Sequence, residues 1–149
     1  MAFTATTGTG ISPVGAGEGQ GGRNVISTFM NFQDGLIVGR FAGYDAATDT
    51  VANVSATTAV VSGVVKRNII NAISDGATFT NANTNSVDII ESGIVTVDVM
   101  AGITPSKYEP VFVNNIDGTA TNSQAPGFLA VDAYFYQQVS PTVWKIRIR

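Results

Sequence analysis

From Asn24 onward, short apolar runs with alternating polar positions are separated by polar, turn-forming stretches, the pattern of half-buried β-strands. Residues 25–32 predict a first strand. Gln33-Asp34-Gly35 is a turn signal, and 36–41 a second strand. A polar turn over 44–50 precedes two β-branched runs, 51–54 and 59–65. In 94–100, Val95, Val97 and Val99 share one face, opposite Thr96 and Asp98. A strand over 110–114 ends in the hairpin-type turn Asn115-Ile116-Asp117-Gly118. Leu129, Val131, Ala133 and Phe135 then line one face of a strand, with Asp132, Tyr134 and Tyr136 behind. The last strand turns Trp144, Ile146 and Ile148 inward and Lys145, Arg147 and Arg149 outward. No segment supports a helix of three turns. The pattern predicts an all-β fold, a small β-barrel or sandwich-like domain.

Two stretches break this rhythm. Residues 1–24 carry Gly8, Gly10, Gly15, Gly17, Gly19, Gly21 and Gly22, a density that makes ordering entropically costly and predicts an extended, flexible arm. No Gly-Lys-Ser/Thr closes the run and no helix is expected after it, so it matches no nucleotide-binding loop. Phe3, Ile11 and Val14 are isolated apolar residues that could anchor the arm on a partner. The expected division is therefore an arm over 1–24 and a β domain over 25–149. Within the domain, 66–86 is less regular. Ile69, Ile70 and Ile73 have the spacing of one short helix, and the Asn- and Thr-rich run from Thr78 to Ser86 reads as a loop or insertion.

Composition narrows the chemistry. The chain has 149 residues, enough for one core burying roughly 70% of its unfolded surface. It contains no Cys and no His, which removes thiol nucleophiles, imidazole bases and disulfides and leaves zinc without its usual ligands. Without His, a Ser or Thr nucleophile would need a Lys base, and Lys66, Lys107 and Lys145 stand in no Ser-x-x-Lys pattern. Asp45 and Asp49 flank a turn, and Asn115-x-Asp117-Gly118 opens like a calcium loop without its closing Glu. Side-chain bonding to nearby backbone amides accounts for both. No catalytic constellation emerges, so no enzyme activity and no cofactor are expected.

Charged residues make up only 13% of the chain, about half the usual share. The surface is then covered by Thr, Asn, Ser, Ala and Gly, which are cheaper to desolvate than ions and suited to packing against neighbours. A net charge of −3 speaks against nucleic acid, which requires basic residues to displace phosphate counterions. No run approaches the ~18–20 apolar residues of a membrane helix, and residues 1–5 lack the basic start of an export signal. Lys145, Arg147 and Arg149 form a basic strip that either blunts a sheet edge or meets an acidic neighbour. Tyr134, Phe135 and Tyr136 near Trp144 could pack a core or stack a sugar.

The order of motifs carries a resemblance. Gly63-Val64-Val65 is followed by Val87-Asp88-Ile89-Ile90-Glu91-Ser92-Gly93-Ile94-Val95-Thr96-Val97, then by residues 103–113 and the Asp117-Gly118 turn. Residues 126–133 and the strand 143–148 close the series. Over roughly 36–149 this order resembles the tailed-phage capsid cement, or head decoration, proteins. The chain departs from them at Tyr108-Glu109-Pro110, where the family usually has Gly-Asp, and in the longer stretch 66–86. The resemblance implies a small β-barrel-like domain on the outer face of the mature capsid, made in the host cytoplasm and often trimeric. It binds the major capsid protein where subunits meet and sends its N-terminal arm across them. Phe3, Ile11, Val14, Arg23, Phe29, Phe32, Lys145, Arg147 and Arg149 are the candidate partner contacts. A tail or other virion protein, and a carbohydrate-binding adhesin, are the competing expectations.

Overall fold

The computed structural model describes residues 19–67, 78–80 and 86–149. Eleven strands are present there and no helix: β1 (Gly19–Phe29), β2 (Leu36–Ile37), β3 (Phe41–Asp45), β4 (Thr50–Asn53), β5 (Val60–Val65), β6 (Thr78–Phe79), β7 (Val87–Asp98), β8 (Pro110–Val113), β9 (Ala120–Thr121), β10 (Leu129–Ser140) and β11 (Val143–Ile148). The all-β expectation holds. Phe3, Ile11, Val14 and the helical spacing of Ile69, Ile70 and Ile73 lie outside the described residues.

The main sheet runs β9-β8-β10-β11-β7-β5-β3-β4, with β1 paired to β7. Ile94 and Val95 pair with both β1 and β11, while Ile89 and Ile90 pair with both β1 and β5. β1 therefore follows one edge of β7, and β5 and β11 divide the other edge between them. The sheet curls strongly into a half-barrel. A bridge between Val99 and Ala120 brings β9 back to the end of β7, and the Phe41 amide donates to the Gly118 carbonyl at 2.9 Å.

Alternation along the strands sorts the core into two clusters. Phe41, Val64, Ile90, Val95, Val97, Phe135, Trp144 and Ile146 meet inside the curl. Their chain neighbours Ala42, Val65 and Ile89 point the opposite way, into a second cluster with Phe32, Leu36, Val51, Phe79 and Val87. The pairs Phe41-Ala42, Val64-Val65 and Ile89-Ile90 are continuous apolar steps because this part of the sheet is covered on both faces.

The cover is the small β2–β6 ribbon, in which Leu36 pairs with Phe79. Both side chains are buried. This corrects two expectations. Thr78 and Phe79 are not loop: they form a strand because Phe79 closes the second cluster. The predicted strand 36–41 is two strands, broken at Val38–Arg40 where Gly39 has φ 81°. The first strand also differs from 25–32, since it begins at Gly19 and ends at Phe29, leaving Phe32 bridged to Val51.

Candidate functional site

The described carboxylates act mainly as turn chemistry. Asp45 accepts the Ala47 amide at 2.9 Å, and Asp117 accepts the amide and hydroxyl of Thr119. Asp49 accepts the Tyr44 hydroxyl, and this bond to a carboxylate holds the phenol above its ordinary pKa. Asp98 is raised chiefly by burial, with the Arg40 guanidinium 3.5 Å away pulling the other way. Among the described residues no group of three or more acidic side chains is placed to hold a metal ion.

The outward face of β10 and β11 is different. Here Tyr134 lies opposite Arg147, and a bulge between Phe135 and Gln137 makes Tyr136 an extra residue before Gln137 meets Lys145. Arg149 caps the end of the strip, ion-paired to Asp132 at 2.9 Å and stacked 5.3 Å from the Tyr134 ring. Both partners of the pair are largely exposed, so its contribution to stability is small.

The loop before β8 folds onto this face. The Tyr108 amide donates to the Phe135 carbonyl at 2.7 Å, and the Phe135 amide returns a bond to Glu109 at 2.9 Å. Glu109 in turn accepts the Ser106 amide and the Asn122 side chain; the first of these bonds is the main cause of its lowered pKa. So clipped, the loop places the Tyr108 ring 5.7 Å from Tyr134 and the Lys107 ammonium 5.0 and 5.2 Å from the rings of Tyr108 and Tyr136. Tyr108 holds φ 73° although it is not glycine. A shallow depression lined by Tyr108, Pro110, Ala133, Tyr134 and Arg149 lies beside the stacked rings.

Several sequence expectations change here. β11 lies between β10 and β7, so Lys145, Arg147 and Arg149 do not blunt a sheet edge. Trp144 and Phe135 are core, packed edge to face at 5.5 Å, though an edge of Trp144 also lines a shallow depression with Lys107, Tyr136, Gln137 and Gln138. Phe32 is 4% exposed and belongs to the second core cluster, against which Phe29 packs in part. Arg23 stands on β1. Lys107 and Tyr108 carried no sequence signal as site residues; only the departure from Gly-Asp at 108–110 marked the place.

A second exposed surface lies along β1. Val25, Ile26 and Met30 are exposed there, and Asn24 reaches across a bulge to the carbonyls of Ser92 and Ile94. Among the described residues β1 pairs only with β7, leaving its far edge open.

Residues 5–149 match the family of the XM1 gp53 minor capsid protein. The chain belongs to that family. It also resembles a chain of the solved structure "The capsid of Myoviridae Phage XM1", with 32% identity and a TM-score of 0.83 over 100% of this chain and 98% of that one. No curated protein sequence matches. Membership of a minor capsid protein family makes this chain a structural, capsid-associated phage protein, and the expected kinship with capsid-associated phage proteins is borne out.

Proposed function

We propose that this member of the XM1 gp53 minor capsid protein family is a cement protein, which binds the outer face of the mature head where major capsid subunits meet. End-to-end similarity to a chain of a phage capsid carries the reading. The far edge of β1, unpaired among the described residues and with Val25, Ile26 and Met30 beside it, supports it: an extended segment of a neighbour can add there as a further strand. The Gly-rich stretch preceding β1, with Phe3, Ile11 and Val14, then reaches over an adjoining subunit, and Arg23 lies where the two routes meet. Each contact is weak alone. Engaging several subunits, or binding as a trimer, raises effective concentration and offsets the cost of ordering the segment. A protein that binds only the closed mature shell shifts the equilibrium away from opening.

Heads made without the protein, mixed with purified chain and spun through a gradient, test this directly. Bound protein and increased resistance to heat and osmotic shock are expected. Absence of binding, or equal resistance with and without the chain, would sink the proposal. Assembly into tubes without any capsid would assign the chain to a tail instead.

A further inference from the structure

The geometry points to the outer face of β10 and β11, together with the loop carrying Lys107 and Tyr108, as a docking platform for an acidic segment of a capsid subunit. The inference rests on the cement reading and adds to it a second surface, a charge and a class of contact.

Three observations carry it. First, charge is concentrated here. Lys107, Lys145, Arg147 and Arg149 are half of the eight cationic residues in a chain of net charge −3, and Asp132 is ion-paired to one of them, Arg149. Second, the aromatic rings are displayed outward. Tyr108 is 66% exposed, tilted against Tyr134, with Lys107 held over both Tyr108 and Tyr136. A tyrosine in the left-handed region is strained, and such strain persists where surrounding structure enforces it, often at binding sites. Here two backbone bonds to Phe135 and the carboxylate of Glu109 enforce it. Rigid tyrosines beside cations are the composition of an interface anchor, since they bury large area at little entropic loss.

Third, six of the chain's eleven acids are already engaged elsewhere. Asp45, Asp49 and Asp117 already accept hydrogen bonds within their own turns, and Asp88, Asp98 and Glu109 from Thr28, Arg40 and Asn122. The Arg147 side chain, by contrast, has no hydrogen-bond or ion-pair partner among the described residues. On the platform reading, the carboxylates that complement this face come from another protein. Asp or Glu side chains reach Arg147, Lys145 and Arg149, while an adjoining apolar or planar group covers Tyr108 and Tyr134.

Gradient binding to heads lacking the protein, at low and raised salt, tests the platform with two variants. Arg147→Glu reverses a charge on an exposed residue. Tyr108→Gly removes the ring while relieving φ 73°, so this variant should fold at least as stably as the parent. Expected is a fall in affinity of about tenfold or more for Arg147→Glu at low salt, narrowing as salt rises, and a salt-insensitive fall for Tyr108→Gly. If the parent binds and both variants bind equally well, the platform is wrong and the cement reading stands. If the parent itself does not bind, both fall. Competition by sialyllactose or glucuronate would reassign the face to an acidic glycan. Loss of self-association in Arg147→Glu would reassign it to a second copy of the chain. Either result overturns the inference.

Discussion

Gly63 occupies a position that only glycine fits. Its φ is 152°, and a Cβ there would run into the Ile90 carbonyl and lie 2.8 Å from the Ile89 methyl group. The close approach exists because β5 crosses onto β7 with Val64 opposite Ile90, one residue beyond a break in the β3–β5 register. Gly63→Ala combines backbone strain with overpacking and should cost about 2–4 kcal/mol, read from urea denaturation. A loss below about 1 kcal/mol would show that the two strands can part without penalty. Gly118 follows the same logic at the other end of the curl. With φ 75°, its missing Cβ leaves room for the Phe41 carbonyl, which would otherwise lie 2.6 Å away. Both glycines stood in motifs visible in the sequence, but the atoms that exclude a side chain belong to distant strands.

At the level of elements, the loop 104–109 shows how a connection becomes a display device. Its conformation depends on Glu109 accepting the Ser106 amide, and hydrogen bonding to the charged form lowers the Glu109 pKa. A lowered carboxylate pKa gives stabilisation that is complete above the unfolded value and is lost as pH falls through the folded one. Glu109→Gln should therefore lower the urea midpoint at neutral pH. The gap from the parent should stay constant above about pH 5.5 and close as pH drops through and below the ordinary Glu value near 4.3. A gap indifferent to pH would mean that the charge of Glu109 does not hold the loop. The same scale explains the misreading of Thr78 and Phe79. Thr78 and Phe79 have too little sequence around them to announce a strand, and their pairing with Leu36 and Ile37 is decided by a cavity that the main sheet leaves open.

Across the whole molecule, β7 binds two hydrophobic clusters into one unit. Ile90, Val95 and Val97 face one cluster and Val87 and Ile89 the other, so neither can come apart while β7 remains paired. The single tryptophan, Trp144, reports on the first cluster, and Phe79 plugs the second. Phe79→Ala should cost about 3–5 kcal/mol by opening a cavity, and that loss should appear in the Trp144 emission transition although the two residues lie in different clusters. An unchanged Trp144 midpoint would mean two independent folding units.

What the sequence determined by itself is the class of the fold and most of its faces. Period-two alternation placed Val95, Val97, Ala133, Phe135, Trp144 and Ile146 inward and Lys145, Arg147 and Tyr134 outward, because a strand's geometry is local. The ordered motifs also carried the kinship with capsid-associated phage proteins, now shown by a family match over residues 5–149. Tertiary structure alone decided which strands are edges, which phenylalanines are core, and what stands beside the basic strip. Strand order made β11 internal and left β1 paired on one edge only among the described residues; the second cluster took Phe32 and Phe79; and a long-range clip to Phe135 set Tyr108 against Tyr134. These depend on pairings between residues far apart in the chain, where alternation is silent about which partner a strand will choose.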